Sequence, residues 1–123
     1  MHVRLGKGQR DMFRFIHTAD VHLDSPMLGL SKYAGDAAER IRTATRTAFT
    51  ALIDKAVAEQ VTFVIIAGDL YDGNWRDVHT GLFFAAQMGR LADAGILAFI
   101  VHGNHDAQSQ ITGRLQLPPN AQW

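Results

Sequence analysis

The chain contains no cysteine, which excludes disulfides and any thiolate metal site. It has no run approaching the roughly 20 consecutive apolar residues of a membrane-spanning helix, so no membrane partner is expected. Residues 1–12 (MHVRLGKGQRDM) are polar and charged, without the apolar stretch of a secretory leader, and a cytoplasmic location is expected. Net charge is missing too, since twelve basic residues offset twelve acidic ones. No global field draws the protein to nucleic acid or an anionic membrane, so any such contact must come from a local patch. What is present is ordinary: 123 residues, 47% hydrophobic and 20% charged, enough for one small globular domain.

Three apolar runs read as buried strands: Phe13 to His17, Val61 to Ala67, and Ile96 to Val101. The second is a continuous β-branched and aromatic run, the pattern of a strand covered on both faces. Between the first two, Asp36 is a candidate N-cap with Glu39 three residues on. Ile41, Thr45, Ala48, Leu52, Ala56 and Val57 then recur at helical spacing to about Gln60. Asp77 can cap a second helix with the stripe Val78, Leu82, Phe83, Ala86 and Leu91, closed by Gly95 at C′. Residues 1–12 read as a flexible tail. Beyond Asp106 the chain turns polar and reaches a Pro118-Pro119-Asn120 stop. The expected class is α/β: a βαβαβ parallel sheet flanked by helices.

Each strand is followed directly by a polar cluster: Asp20-Val21-His22, Gly68-Asp69-Leu70-Tyr71-Asp72, and Gly103-Asn104-His105-Asp106. In open α/β sheets ligands bind beyond the carboxyl ends of the strands. Asp20 and His22, two residues apart on extended backbone, can offer a carboxylate oxygen and an imidazole nitrogen to one ion. Alone, such a D-x-H triplet occurs often by chance. Gly68 lets the backbone turn sharply so that Asp69 can enter the cleft. Its carboxylate can bridge two cations, or simply cap a turn. Asn104 offers a neutral carbonyl oxygen. His105 could protonate a leaving oxygen or stabilise charge, and Asp106 could orient it. The opposing reading of this third cluster is a polar turn with Asn at positive φ.

Other polar residues have a weaker claim. His17 reads as a hydrogen-bonded core histidine. His102 could approach a phosphate, His79 reads as solvated, and His2 lies in the tail. Arg40, Arg42 and Arg46 could contact a phosphate backbone, but read better as the wet face of a helix. Tyr71, Trp75 and Arg76 could stack on bases or pack a loop.

Taken jointly, the clusters resemble the signature D-x-H, G-D-x-x-D, G-N-H-D of the calcineurin-like metallophosphoesterase superfamily. The stretches His17 to Pro26 and Ala67 to Asp72, with Gly103 to Ser109 and Leu115 to Pro118, look most similar to bacterial DNA-repair exonucleases of the SbcD type. The resemblance implies that residues 13–123 are the N-terminal portion of a metallophosphoesterase domain, the first half of its β-sandwich. It implies two divalent metal ions, often manganese, with iron or zinc also suited to mixed oxygen and imidazole donors. Asp20 and His22 would hold the first ion, Asp69 would bridge, and Asn104 would hold the second. His105 and Asp106 would be the catalytic pair. DNA as substrate and an ATPase partner of the SbcC type follow from the same likeness. A small phosphodiester or a phosphoprotein as substrate, and a non-catalytic interaction module of the same fold, are the alternatives.

The chain departs from that family in one respect. It has no histidine after His105, whereas the family completes its site with later histidines, including a G-H-x-H element. The expectation is therefore that the chain is a truncated portion, inactive or nearly so alone. An uncovered sheet face should also promote self-association.

Overall fold

The computed structural model describes residues 12–25, 35–71, 78–103 and 116–123. Apart from Met12, the expected tail lies outside the described residues, as do Pro26, Asp72, Trp75, Arg76 and Asp77. The elements run β1 (Phe15–Ala19), α1 (Gly35–Ala58), β2 (Phe63–Gly68), α2 (Val78–Asp93), β3 (Leu97–His102) and β4 (Ala121–Gln122). All four strands are parallel, in the order β1-β2-β3-β4. The expected βαβαβ unit is there, shifted by one or two residues at each strand. The fourth strand is not expected from the sequence. The Pro118–Asn120 segment forms a turn, closed by Ala121 N–H donating to Pro118 O at 3.0 Å. Ala98 N–H then donates to Asn120 O at 2.9 Å, which carries the chain into β4.

In-register partners of a parallel sheet share a face. Ile16, Val64 and Ala98 form one row, and Thr18, Ile66 and Ile100 another. Val64, Ile66, Ala98 and Ile100 are buried with Phe49, Ile53 and Ala56 of α1 and Phe84, Met88 and Leu91 of α2. Two successive right-handed crossovers in the same direction put both helices on that face. The opposite rows, Phe15-Phe63-Leu97 and His17-Ile65-Phe99, are uncovered by any described element. Phe15 is 50% exposed and Leu97 45%. The expectation that β2 is covered on both faces is thus corrected. His17 is exposed on the bare face and is not a core histidine.

Both helix stripes also differ from the periodicity reading. Among the described residues of α1 the buried positions are Phe49, Ile53 and Ala56, while Ala48 is exposed. In α2 they are Thr80, Gly81, Phe84, Gln87, Met88 and Leu91, while Val78 and Leu82 face outwards. Apolar residues surround α2 on most sides, so periodicity alone admits two faces and tertiary contacts choose one. Asp36 lies inside the first turn of α1 and not at its cap, where a carboxylate still favours the helix dipole.

Both helices end in the same six-residue motif. Gly95 N–H donates to Ala92 O at 2.9 Å and Ile96 N–H to Leu91 O at 2.9 Å. At the end of α1, Gln60 N–H donates to Val57 O and Val61 N–H to Ala56 O, each at 3.2 Å. These are Schellman caps, which require a left-handed C′ residue. Gly95 meets that with φ +71° and Gln60 with φ +50°. Each cap turns the chain straight into the strand that follows.

Candidate metal centre

Beyond β1 and β2 the two strands stay zipped together through their loops. Asp20 N–H donates to Ala67 O at 3.0 Å, His22 N–H to Asp69 O at 3.1 Å, and Leu23 N–H to Leu70 O at 2.8 Å. The backbone of this segment alternates in hand. Asp20, His22 and Asp24 all occupy the left-handed region, with φ of 50°, 45° and 56°. That conformation costs a non-glycine residue roughly 1–2 kcal/mol, less for Asp, so three in five residues need strong tertiary support. Strain of this kind gathers where a side chain must be aimed.

Its effect is to turn Asp20 and His22 towards Asp69. One donor atom from each of Asp20, His22 and Asp69 lies within 4.8 Å of the other two. Asp69 N–H also donates to Asp20 Oδ1 at 3.3 Å, which orients that carboxylate. Ligands about 2.1 Å from one ion lie at most about 4.2 Å apart. The three side chains would have to close further onto an ion to hold it together. Two carboxylates and one imidazole suit manganese, iron or zinc, so the residues present fit a divalent ion. Asp20 is exposed and the other two are partly buried, which leaves the donors accessible.

Glycines make the approach possible. Gly68 has φ +74°, and a Cβ there would sit 3.2 Å from Asp20 Cγ and 3.4 Å from its nitrogen. At Gly103 a Cβ would meet the Asp69 carboxylate, with the Asp69 nitrogen 2.6 Å away. The end of β3 therefore lies directly against Asp69. Asn104, His105 and Asp106 follow Gly103 in sequence but lie outside the described residues. The structure brings together Asp20, His22 and Asp69 of the predicted set.

Among the residues with weaker claims, Tyr71 is fully buried and packs edge-on against Phe84, 6.1 Å between centroids. It is a core residue and not a free stacking platform. His102 is exposed and stacks on Trp123, 4.5 Å between centroids and 4° between planes. His79 and Arg40 are exposed.

Arg46 departs from the solvated role expected of it. Its Nε donates to both carboxylate oxygens of Asp24, at 2.8 and 2.9 Å. Thr80 Oγ1 donates to Asp24 Oδ2 at 2.6 Å, and Asp24 N–H donates to Thr45 Oγ1 at 3.1 Å. The Arg46 guanidinium lies 5.1 Å over the ring of Phe83. Asp24 is fully buried. Sequence reading passes over this group because Asp24, Arg46 and Thr80 belong to no common motif. The available signal is an acidic residue two positions after His22, beside Leu23, which is itself fully buried.

A parallel sheet with carboxylates and an imidazole converging at its carboxyl ends defines an α/β protein with a candidate metal site. The profile of the calcineurin-like phosphoesterases matches residues 13–122. The chain belongs to that family. It is 42% identical over 92 residues to the uncharacterized metallophosphoesterase YhaO of Bacillus subtilis (strain 168), covering 75% of this chain and 22% of that protein. It is 31% identical over 99 residues to the DNA double-strand break repair protein Mre11 of Sulfurisphaera tokodaii, covering 80% and 24% of the two chains. The Mre11 of Aeropyrum pernix is 33% identical over 102 residues, with 80% and 22% covered. The chain thus spans under a quarter of the length of these relatives.

Proposed function

We propose that this chain carries the first-ion ligands of a two-metal phosphodiesterase whose substrate is DNA. The observation that supports it most is the convergence of Asp20, His22 and Asp69 donor atoms within 4.8 Å, at the strand ends of a calcineurin-like phosphoesterase chain. The Mre11 relatives, named for DNA double-strand break repair, favour DNA over a small phosphodiester. Partnership with an ATPase of the SbcC type belongs to the same proposal.

Asp20 and His22 would hold one ion, and Asp69 would be shared between it and a second. When bound, such ions supply positive charge that lowers the pKa of water and neutralises phosphoryl oxygens. The protein's own part is orientation. Asp69 N–H fixes the Asp20 carboxylate, and the loop zipper fixes His22. We assign Asn104 to the second ion, His105 to the leaving group, and Asp106 to holding His105. Because no histidine follows His105, turnover by this chain alone should be slow or absent even where it binds an ion.

Two measurements test the proposal. Calorimetric titration with Mn2+ should show binding that Asp20→Asn and Asp69→Asn each weaken at least tenfold. Unchanged binding in both variants would make the chain a scaffold of the same fold. Under Mn2+, the full-length protein should degrade linear duplex DNA in preference to a panel of small phosphodiesters and phosphopeptides. The reverse preference would overturn the DNA assignment.

A further inference from the structure

We infer that Asp24 is a positioning residue for His22, held to that task by Arg46 and Thr80. The inference rests on the metal-centre reading above and extends it to residues outside the ligand motif.

The turn after His22 supplies the first reason. Ser25 N–H donates to His22 O at 3.1 Å, closing a four-residue turn with Leu23 and Asp24 at its centre. Asp24 has φ +56° there. A turn with positive φ at its third position selects glycine or asparagine. Aspartate tolerates this left-handed position, but the turn does not require it, so the surroundings of its side chain decide what it does there.

The surroundings of the carboxylate show what that is. It is fully buried, and a buried carboxylate is tolerated only with charge-assisted hydrogen bonds. Arg46 from α1 grips both oxygens, and Thr80 from the first turn of α2 donates to one of them. The Asp24 main-chain N–H is held by Thr45, also from α1. Both helices thus grasp one loop residue on the side away from β2. On the other side, the carbonyls of Asp69 and Leu70 hold the backbone of His22 and Leu23.

His22 is caught between these two grips, two residues before the first and within the second. Its own φ of 45° is disfavoured, so the backbone would relax if either grip were released. Relaxation would turn the imidazole out of the cluster with Asp20 and Asp69. Groups that orient metal ligands without touching the ion typically change affinity by about 10- to 100-fold.

The test uses the 123-residue chain, with Mn2+ titrated calorimetrically and Co2+ binding followed by visible absorption. His22→Ala is the reference, and it should weaken Mn2+ binding at least tenfold. If it does not, the metal-centre reading fails, and this inference with it. Asp24→Gly keeps the turn and removes the tether. Thr80→Val removes one hydroxyl at near-constant shape, and Thr80→Ser restores it. We expect Asp24→Gly and Thr80→Val to weaken Mn2+ binding by about tenfold and to alter the Co2+ band shape, with far-ultraviolet circular dichroism unchanged. Thr80→Ser should return both readings to those of the parent chain. Parent-like affinity and superimposable Co2+ spectra in Thr80→Val, in a chain where His22→Ala loses binding, would overturn the inference. If Asp24→Gly does not fold, the Thr80 pair decides alone.

Discussion

The backbone of Gly103 lies so close to Asp69 that the site has no room for a methyl group between them. A Cβ at Gly103 would approach the Asp69 nitrogen to 2.6 Å and the Gly68 carbonyl carbon to 2.7 Å. These are main-chain atoms of the neighbouring strand end, and a rotamer change cannot move them. The close contact joins the first residue of the third polar cluster to the second cluster.

Gly103→Ala should therefore destabilise the fold by about 1–3 kcal/mol, as overpacking does, and weaken Mn2+ binding by moving Asp69. Gly89→Ala is the matched control, because nothing lies within 4 Å of a Cβ there. Within α2 that change should stabilise by about 0.5–1 kcal/mol. Urea midpoints moving in opposite directions would establish the distinction. A neutral Gly103→Ala would remove the steric account of the site.

The two Schellman caps offer a second pair. Gln60 occupies the left-handed C′ position that Gly95 occupies in the other helix. Gln60→Gly should stabilise by about 0.5–1 kcal/mol, since it relieves a left-handed side chain at some cost in unfolded-chain entropy. Gly95→Ala should destabilise by about 1 kcal/mol, although a Cβ there meets nothing within 4 Å. Thermal unfolding of both variants separates conformational strain from steric crowding. Equal effects at the two positions would show that φ is not the cause.

Features that depend on neighbours in sequence were legible before the structure. The three apolar runs and their glycines gave the parallel strands, and Gly95 marked the end of α2. Asp20, His22 and Asp69 could be grouped because topology brings parallel strand ends together. Features set by distant contacts were not legible. The two residues of β4 are too few to show a period, and Ala121 is placed by pairing with Ala98 and by packing against the core. The buried face of α2 is chosen in part by Thr80 meeting Asp24 across 56 positions. His17 alternates like a core residue, but its face of the sheet is the bare one.

Glu59 gives a pH-dependent prediction. A hydrogen bond and the charge of Lys55, then the charge of Arg14, hold its carboxyl below the ordinary value of 4.5. Lys55 Nζ lies 2.8 Å from Oε1, and Arg14 Nη1 lies 2.7 Å from Oε2. A carboxyl with a lowered folded pKa adds stability above its unfolded value and loses it as pH falls through the folded one. The melting temperature of the chain should exceed that of Glu59→Gln at neutral pH, and the gap should close below the ordinary glutamate range. All three groups are at least partly exposed, so the gap should shrink in roughly 1 M salt, where screening acts over about 3 Å. A gap that ignores pH would assign the effect to packing of the side chain.

The bare face of the sheet leads to the last prediction. Phe13, Phe15, Phe63 and Phe99 form a row with successive ring centroids 5.1–6.2 Å apart. Phe15, Leu97, Phe99 and Val101 are 39–57% exposed along that face. Contiguous exposed apolar area of this kind drives association in water, because burial recovers about 25 cal/mol for each square ångström. The isolated chain should show a concentration-dependent rise in mass by sedimentation. Phe15→Lys with Phe99→Lys should abolish it, since a charge on each flank of the row would have to be desolvated. Both substitutions are on the face opposite the helices, so they should leave the core and the Asp20–His22–Asp69 cluster undisturbed. Association that persists in the double variant would transfer the contact from the face to the edge of β1, whose outer backbone groups are unpaired with any described strand. A monodisperse monomer in the parent chain at every concentration would show that four clustered phenylalanines are too small a surface to drive it.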